Sequence, residues 1–166
     1  IKQSYSKLSK DRISEFYSNN NINSEYPKEW NENDYFELRQ LGIGSLFSVY
    51  LIYVIEKEEL LALKKPHMYD TEISKLYERE VDNYLKIKDP LIPKFYGTIK
   101  SKYYLFIEFI DGQNLKDIKV LSPEDKILII NGIMLIIFYF HNNKYILNDM
   151  KPNNIMIDRR NTIVMI

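Results

Sequence analysis

Asp149-Met150-Lys151-Pro152-Asn153-Asn154 is a polar loop set between two short apolar runs, Tyr145-Ile146 and Ile155-Met156-Ile157-Asp158. It holds an acid, a base and an amide at its first, third and sixth positions. Phosphoryl transfer to a hydroxyl can use all three: Asp149 to accept the hydroxyl proton, Lys151 to balance charge on the transferring group, and Asn154 to offer an oxygen to a magnesium ion. The plainer alternative is a turn made of asparagine, proline and lysine in a chain rich in them. What lies on either side decides between the two.

Downstream, Thr162 to Ile166 begins another strand. Upstream, Ser122-Pro123-Glu124-Asp125 is a helix start: a serine cap, proline at the first helical position and an acid three residues after the cap. The helix should run to about Asn142. Being apolar on nearly every side, it is expected to be buried on most faces. Before it, Phe95 to Ile99 and Tyr103 to Phe109 read as strands, and Ser74 to Lys88, with Leu76, Val81, Tyr84, Leu85 and Ile87 at helical spacing, reads as a helix. Phe36-Glu37-Leu38, Ser48 to Ile55 and Leu60 to Lys64 complete the set as strands. The order is therefore five strands with one helix inserted after the third, then a mainly helical region. Tyr145 to Asp149 and Ile155 to Asp158 are read as short extended segments around the loop.

Three features in this first half carry possible chemistry. Leu41-Gly42-Ile43-Gly44-Ser45-Leu46-Phe47-Ser48-Val49-Tyr50 sets two of the five glycines two residues apart between strands. Such a turn can bring backbone N–H groups to a phosphate, and an ordinary hairpin turn explains it equally well. Leu61-Ala62-Leu63-Lys64 ends an apolar strand in a lysine, with Lys65 the neighbouring candidate. Taken alone, that is a strand ending in a solvated charge. On the helix that follows, Glu80 and Glu78 are candidate partners for the lysine. Glu80 follows Leu76 by four residues and so lies on the apolar side, whereas Glu78 does not.

Together these stretches resemble the eukaryotic-type serine/threonine protein kinase domain over residues 35–166. The loop is similar to His-Arg-Asp-Leu-Lys-Pro-x-Asn, the glycine turn to the kinase glycine-rich loop, and Leu61-Ala62-Leu63-Lys64 to Val-Ala-Ile-Lys. The resemblance implies an α+β fold: a five-stranded antiparallel N-lobe sheet with one αC helix, then the first helices and catalytic loop of a mainly α-helical C-lobe. It implies ATP and Mg2+ as cofactors and a protein bearing a Ser or Thr acceptor as partner. It makes Asp149 and Lys151 catalytic and Asn154 a metal ligand. Leu41, Gly42, Gly44, Val49 and Ala62 would line the nucleotide, and Lys64 would hold its phosphates with Glu80 as ion-pair partner. Ile107 would guard the back of the adenine pocket, the backbone of Glu108 to Ile110 would meet the adenine edge, and Asn114 would fall near the ribose.

Three positions depart from the pattern. Phe47 stands where the third glycine belongs, Leu147 where the loop histidine does, and Asn148 where the arginine that pairs with an activation-loop phosphate does. Control by that phosphate is therefore expected to be absent. His141 matches a structural histidine and is expected to pack rather than react. In the family the last strand leads into Asp-Phe-Gly, whose aspartate binds magnesium, and that motif would start after Ile166. The chain is accordingly read as part of something longer, with little phosphoryl transfer of its own.

Composition narrows the remaining possibilities. The 166 residues, 45% hydrophobic, suffice for one core, and 23 basic residues balance 23 acidic ones, so no net field favours nucleic acid or an anionic membrane. There is no cysteine and there are only two histidines, His67 and His141, which argues against disulfides and zinc and fits a reducing, cytoplasmic setting. The longest apolar stretch, Ile127 to Phe140, is broken by Asn131-Gly132 and is shorter than the roughly 20 residues a bilayer needs. Residues 1–34 read as an N-terminal extension, partly helical, ahead of an N-lobe and hinge over 35–110 and the start of a C-lobe over 111–166. A kinase-like protein that serves as a binding module is the competing function, and a small-molecule phosphotransferase of related fold a third.

Overall fold

Side chains on a strand alternate between the two faces of the sheet, so register alone says which residues of 47–66 and 104–108 can meet. The computed structural model describes residues 27–166, and the helix expected near the start of the chain lies outside them. Residues 27–88 with 94–109 form one compact unit, and residues 89–93 with 110–166 form another.

The first unit contains strands β1 (Lys28–Glu29), β2 (Tyr35–Ile43), β3 (Phe47–Val54), β4 (Glu59–Pro66), β5 (Phe95–Ile99) and β6 (Tyr104–Glu108), with helix α1 (Thr71–Lys86) between β4 and β5 in sequence. The strands make one sheet in the order β1-β5-β6-β4-β3-β2. The five antiparallel strands expected are there. α1 begins three residues before the expected Ser74, because Asp70 caps it by accepting a hydrogen bond from the Ile73 N–H at 2.8 Å.

β1 is an addition. It pairs parallel with β5 and carries Lys28 opposite Gly97. Gly97 has φ +132°, and a Cβ there would sit 1.9 Å from the Lys28 carbonyl oxygen, so only glycine lets the two backbones approach. Just past β1, Trp30 is 1% exposed. Its N–H donates to the Thr98 carbonyl at 2.7 Å, and its indole Nε1 donates to the Tyr96 carbonyl at 3.0 Å. The indole stacks on Phe106 with centroids 4.7 Å apart. Residues 28–30, assigned to an extension from the sequence, are thus built into the sheet.

Register explains which face Trp30 covers. Ile52 pairs with Leu61, Tyr50 with Leu63 and Leu63 with Phe106, so these residues share one face. With Trp30, Tyr35, Val54, Ile99 and Tyr104 they form the unit's hydrophobic cluster. Leu51, Ala62 and Ile107 pair with one another on the opposite face, beside Val49, Lys64 and Leu105.

The second unit holds β7 (Gly112–Asn114), helix α2 (Pro123–Asn142), β8 (Ile155–Asp158) and β9 (Ile163–Met165). The sheet order is β7-β8-β9, antiparallel throughout. β8 thereby uses both of its edges, and Tyr145 to Asp149, expected to be extended, forms no strand. α2 starts where the sequence placed it, with Ser122 and Asp125 closing a capping box through reciprocal bonds of 3.1 Å. It ends in a reversal at Lys144, φ 63°, where the Lys144 N–H donates to the His141 carbonyl and the Tyr145 N–H to that of Phe140.

α2 departs from expectation in its burial. Ile129, Ile136 and Phe140 are buried in a single stripe, and Ile127, Ile130, Met134, Leu135 and Phe138 are exposed. The buried stripe faces β9. A Cβ on Gly132 would lie 2.3 Å from Cγ1 of Ile163, so the glycine brings helix and strand into close approach. Among the described residues the helix packs chiefly on β9, and the side that carries Ile127, Ile130, Met134, Leu135 and Phe138 is exposed. No helix among the described residues is long and apolar enough to cross a membrane.

Candidate functional site

Lys64 lies on the same sheet face as Val49, its register partner on β3, and Ala62 lies beside Ile107 on that face. Its ammonium forms an ion pair with Glu80 of α1, and the two side chains are 21% and 26% exposed. A half-buried lysine held by a carboxylate has its direction set, with N–H donors left for an anion. Lys65 points to the other face, where it pairs with Glu37 and sits 4.9 Å from the Tyr50 ring centroid and 5.2 Å from that of Tyr104. Alternation along β4 thus separates two adjacent lysines. Helical periodicity separates the acids in the same way, for Glu78 is exposed and Glu80, three residues after buried Tyr77, is turned inward.

The glycine turn closes on itself. The Gly44 N–H donates to the Phe47 carbonyl at 2.8 Å, and the Leu46 carbonyl accepts from the His67 N–H at 2.9 Å. Beneath it, the buried Ser48 hydroxyl lies 2.9 Å from Nε2 of His67. A Cβ on Gly42 would meet no atom within 4 Å, so that side of the turn is open space. Leu41 is half-buried at its edge. Phe47 shares the face of Val49 and Lys64, and its ring centroid is 5.2 Å from the Lys64 ammonium. Ile107 is buried; Glu108 binds Lys94 twice, its N–H donating to the Lys94 carbonyl at 2.8 Å and its carboxylate accepting from the Lys94 N–H at 3.1 Å.

The second unit carries the loop residues. Oδ2 of Asp149 accepts from Nζ of Lys151 at 2.8 Å and from Nδ2 of Asn154 at 2.9 Å, and the same Nδ2 also reaches the Asp149 carbonyl at 2.9 Å. These contacts follow from local geometry: Pro152–Asn154 is a single 3-10 turn closed by the Asn154 N–H on the Lys151 carbonyl at 2.9 Å. The Lys151 bond first, then the Asn154 bond, holds the Asp149 carboxyl below the usual carboxylate range, even though the group is exposed. The Ile166 N–H anchors the far side by donating to the Asn154 carbonyl at 2.9 Å.

Asn114 plays a part the sequence did not suggest. Its amide Nδ2 donates to the Asn153 carbonyl at 2.7 Å while its Oδ1 accepts from the Lys116 N–H at 3.1 Å, so it braces the loop. No spacing rule links β7 to residue 153; the contact exists because β7 pairs with β8, the strand that leaves the loop. Ile110 is buried at the start of this unit. Leu147 is half-buried and Asn148 exposed. His141, expected to pack, is exposed on the last turn of α2, because the buried stripe runs through Phe140 instead.

The residues fit the two cofactors unequally. Lys64, oriented by Glu80 on a face with Val49, Ala62 and Ile107, suits an anionic group attached to a flat apolar one. For a cation the donors are few: no group of three His, Cys, Asp or Glu among the described residues could hold a metal ion. The Asn154 amide nitrogen is committed to Asp149, so its carbonyl oxygen fits as one ligand of an ion held otherwise by phosphate oxygens and water.

Comparison with known proteins gives the same answer as the geometry. The serine/threonine-protein kinase PrkC of Bacillus subtilis is 28% identical over 135 residues, covering 76% of this chain and 21% of that protein. An Aurora kinase of Saccharomyces cerevisiae is 30% identical over 140 residues, covering 78% of this chain and 38% of its own length. The chain therefore spans between about a fifth and a half of the length of curated relatives it matches. The protein kinase domain family matches residues 35–166. By that match, which takes in both the Lys64–Glu80 pair and the Asp149 loop, the chain belongs to the protein kinase family.

Proposed function

We propose that the protein carrying this chain transfers the γ-phosphoryl group of ATP to serine or threonine hydroxyls of other proteins. The observation that carries the reading is the Asp149–Lys151–Asn154 cluster, an ionised carboxylate fixed by two donors on a short turn. Asp149 would accept the proton of the attacking hydroxyl; its carboxyl, held below the usual carboxylate range by Lys151 and Asn154, is ionised at neutral pH. Lys151 would balance charge near the transferring group, and Asn154 would give one oxygen to magnesium. Lys64, steered by Glu80, would hold the α- and β-phosphates, and Val49, Ala62 and Ile107 would flank the base. Leu41, Gly42 and Gly44 would cover the phosphates, and Glu108, Ile110 and Asn114 would border the adenine and ribose. ATP, when bound, supplies the phosphoryl group, and the magnesium ion it brings offsets part of the phosphate charge.

The test is a kinase assay with the full-length protein and its Asp149→Asn variant. Loss of the base is expected to lower kcat by about a hundredfold to ten-thousandfold with KM for ATP little changed. Unchanged turnover would rule out the assignment of Asp149.

A second reading, a kinase-fold binding module that transfers no phosphate, is favoured by one contact: the Phe47 ring over Lys64. Nucleotide titration followed by thermal shift tests the form of this module that binds no nucleotide, which shows no response to MgATP, and the kinase assay tests the form that binds nucleotide without transferring phosphate.

A further inference from the structure

The Phe47 ring stands over the one lysine that the nucleotide reading needs. β3 places residues 47, 49 and 51 on the face that also carries Lys64, and the ring reaches diagonally across the Val49–Lys64 pair to lie 5.2 Å from the ammonium. Glu80 takes one side of that ammonium and the ring another. An aromatic face carries negative electrostatic potential, so it attracts the lysine and repels a phosphate oxygen approaching the same cation. The turn reinforces this placement, because the Phe47 carbonyl is tied to the Gly44 N–H at 2.8 Å and Ser48, next in sequence, is buried against His67. The backbone at Phe47 is therefore fixed, and relief has to come from side-chain rotation.

We propose that Phe47 is an affinity-setting residue that competes with nucleotide phosphates for Lys64, making this site selective against highly charged nucleotides. The inference rests on the nucleotide reading above. It differs from general obstruction of the turn, since the competition acts through Lys64 and falls on phosphate while leaving the nucleoside unaffected. A ligand without phosphates, adenosine, gains nothing when the ring is removed. ATP gains the full interaction with the freed ammonium.

The experiment is calorimetric titration of the full-length protein with ATP, ADP and adenosine, for wild type, Phe47→Gly and Phe47→Leu. Phe47→Leu keeps the bulk while removing the ring electrostatics, and it carries the test should the glycine variant fold poorly, as read by its thermal melt. Removing a cation–π contact of ordinary strength is expected to tighten ATP by about threefold to thirtyfold in Phe47→Gly, and by about twofold to fivefold in Phe47→Leu, with adenosine unchanged. Equal tightening of adenosine and ATP would overturn the proposal, as would wild-type ATP affinity in both variants. Absence of any nucleotide or nucleoside binding in all three folded proteins would overturn the nucleotide reading itself, and this inference with it.

Discussion

Two lysines in this chain each hold a carboxylate, and they do so by opposite means. Lys64 meets Glu80 across 16 residues, from the third strand of the main antiparallel run to the helix that follows. Lys151 meets Asp149 within a single turn, two residues away. The first pair is half-buried, at 21% and 26% side-chain exposure; the second lies in solvent, at 50% and 66%. A long-range pair exists only while the elements that carry it keep their register and packing, whereas a local one depends on a few backbone dihedrals. The lysine site should therefore fail when the sheet is damaged far from it, and the loop should not.

The strongest way to break that comparison is Trp30→Ala. Removing a fully buried indole that stacks on Phe106 should cost about 3–5 kcal/mol in urea denaturation followed by far-UV circular dichroism. Nucleotide affinity should fall with it, while the Asp149 titration, followed by carboxyl carbon NMR, stays put. Movement of that titration would mean the loop is not locally determined.

A smaller effect sharpens the contrast on one strand. Lys64→Met should weaken ATP binding by about tenfold or more, the worth of a charge-assisted hydrogen bond, while Lys65→Met should change it by less than about twofold, because Lys65 faces Glu37 on the other side of the sheet. Equal losses in isothermal titration would show that alternation does not separate the two.

The smallest expected change is a titration. Lys151 and Asn154 donate to the ionised form of Asp149, so its folded pKa lies below the usual value. What that interaction contributes is present above the ordinary carboxylate range and is lost as pH falls through the lowered value. Lys151→Met should move the midpoint upward toward the ordinary value, with the Asn154 bond left to hold part of the shift. A midpoint that does not move would remove Lys151 as the main cause.

The same contrast between local and distant explains which features could be read before the fold was seen. The capping box at Ser122 and Asp125, the start of α2 and the contents of the Asp149 turn depend on residues two to five apart, and the chain states them directly. The faces of β3 and β4 follow from alternation, and the choice of Glu80 from helical periodicity, once one side is known to be apolar. Burial is another matter. α2 reads as buried all round because its residues are apolar, yet only Ile129, Ile136 and Phe140 of it are fully buried. Tyr145 to Asp149 has strand composition, yet β8, the strand that leaves the loop, already pairs along both of its edges.

The sequence by itself determined the kind of fold, the five antiparallel strands with a helix after the third, and the residues that meet in the loop, because capping, alternation and short-range hydrogen bonds are set by neighbours along the chain. Only the tertiary structure decided that Lys28 to Trp30 close the sheet across Gly97, that Asn114 braces the loop at Asn153, and that the Phe47 ring occupies the approach to Lys64. Each of these joins residues that share no local pattern, and packing is what brings them within reach.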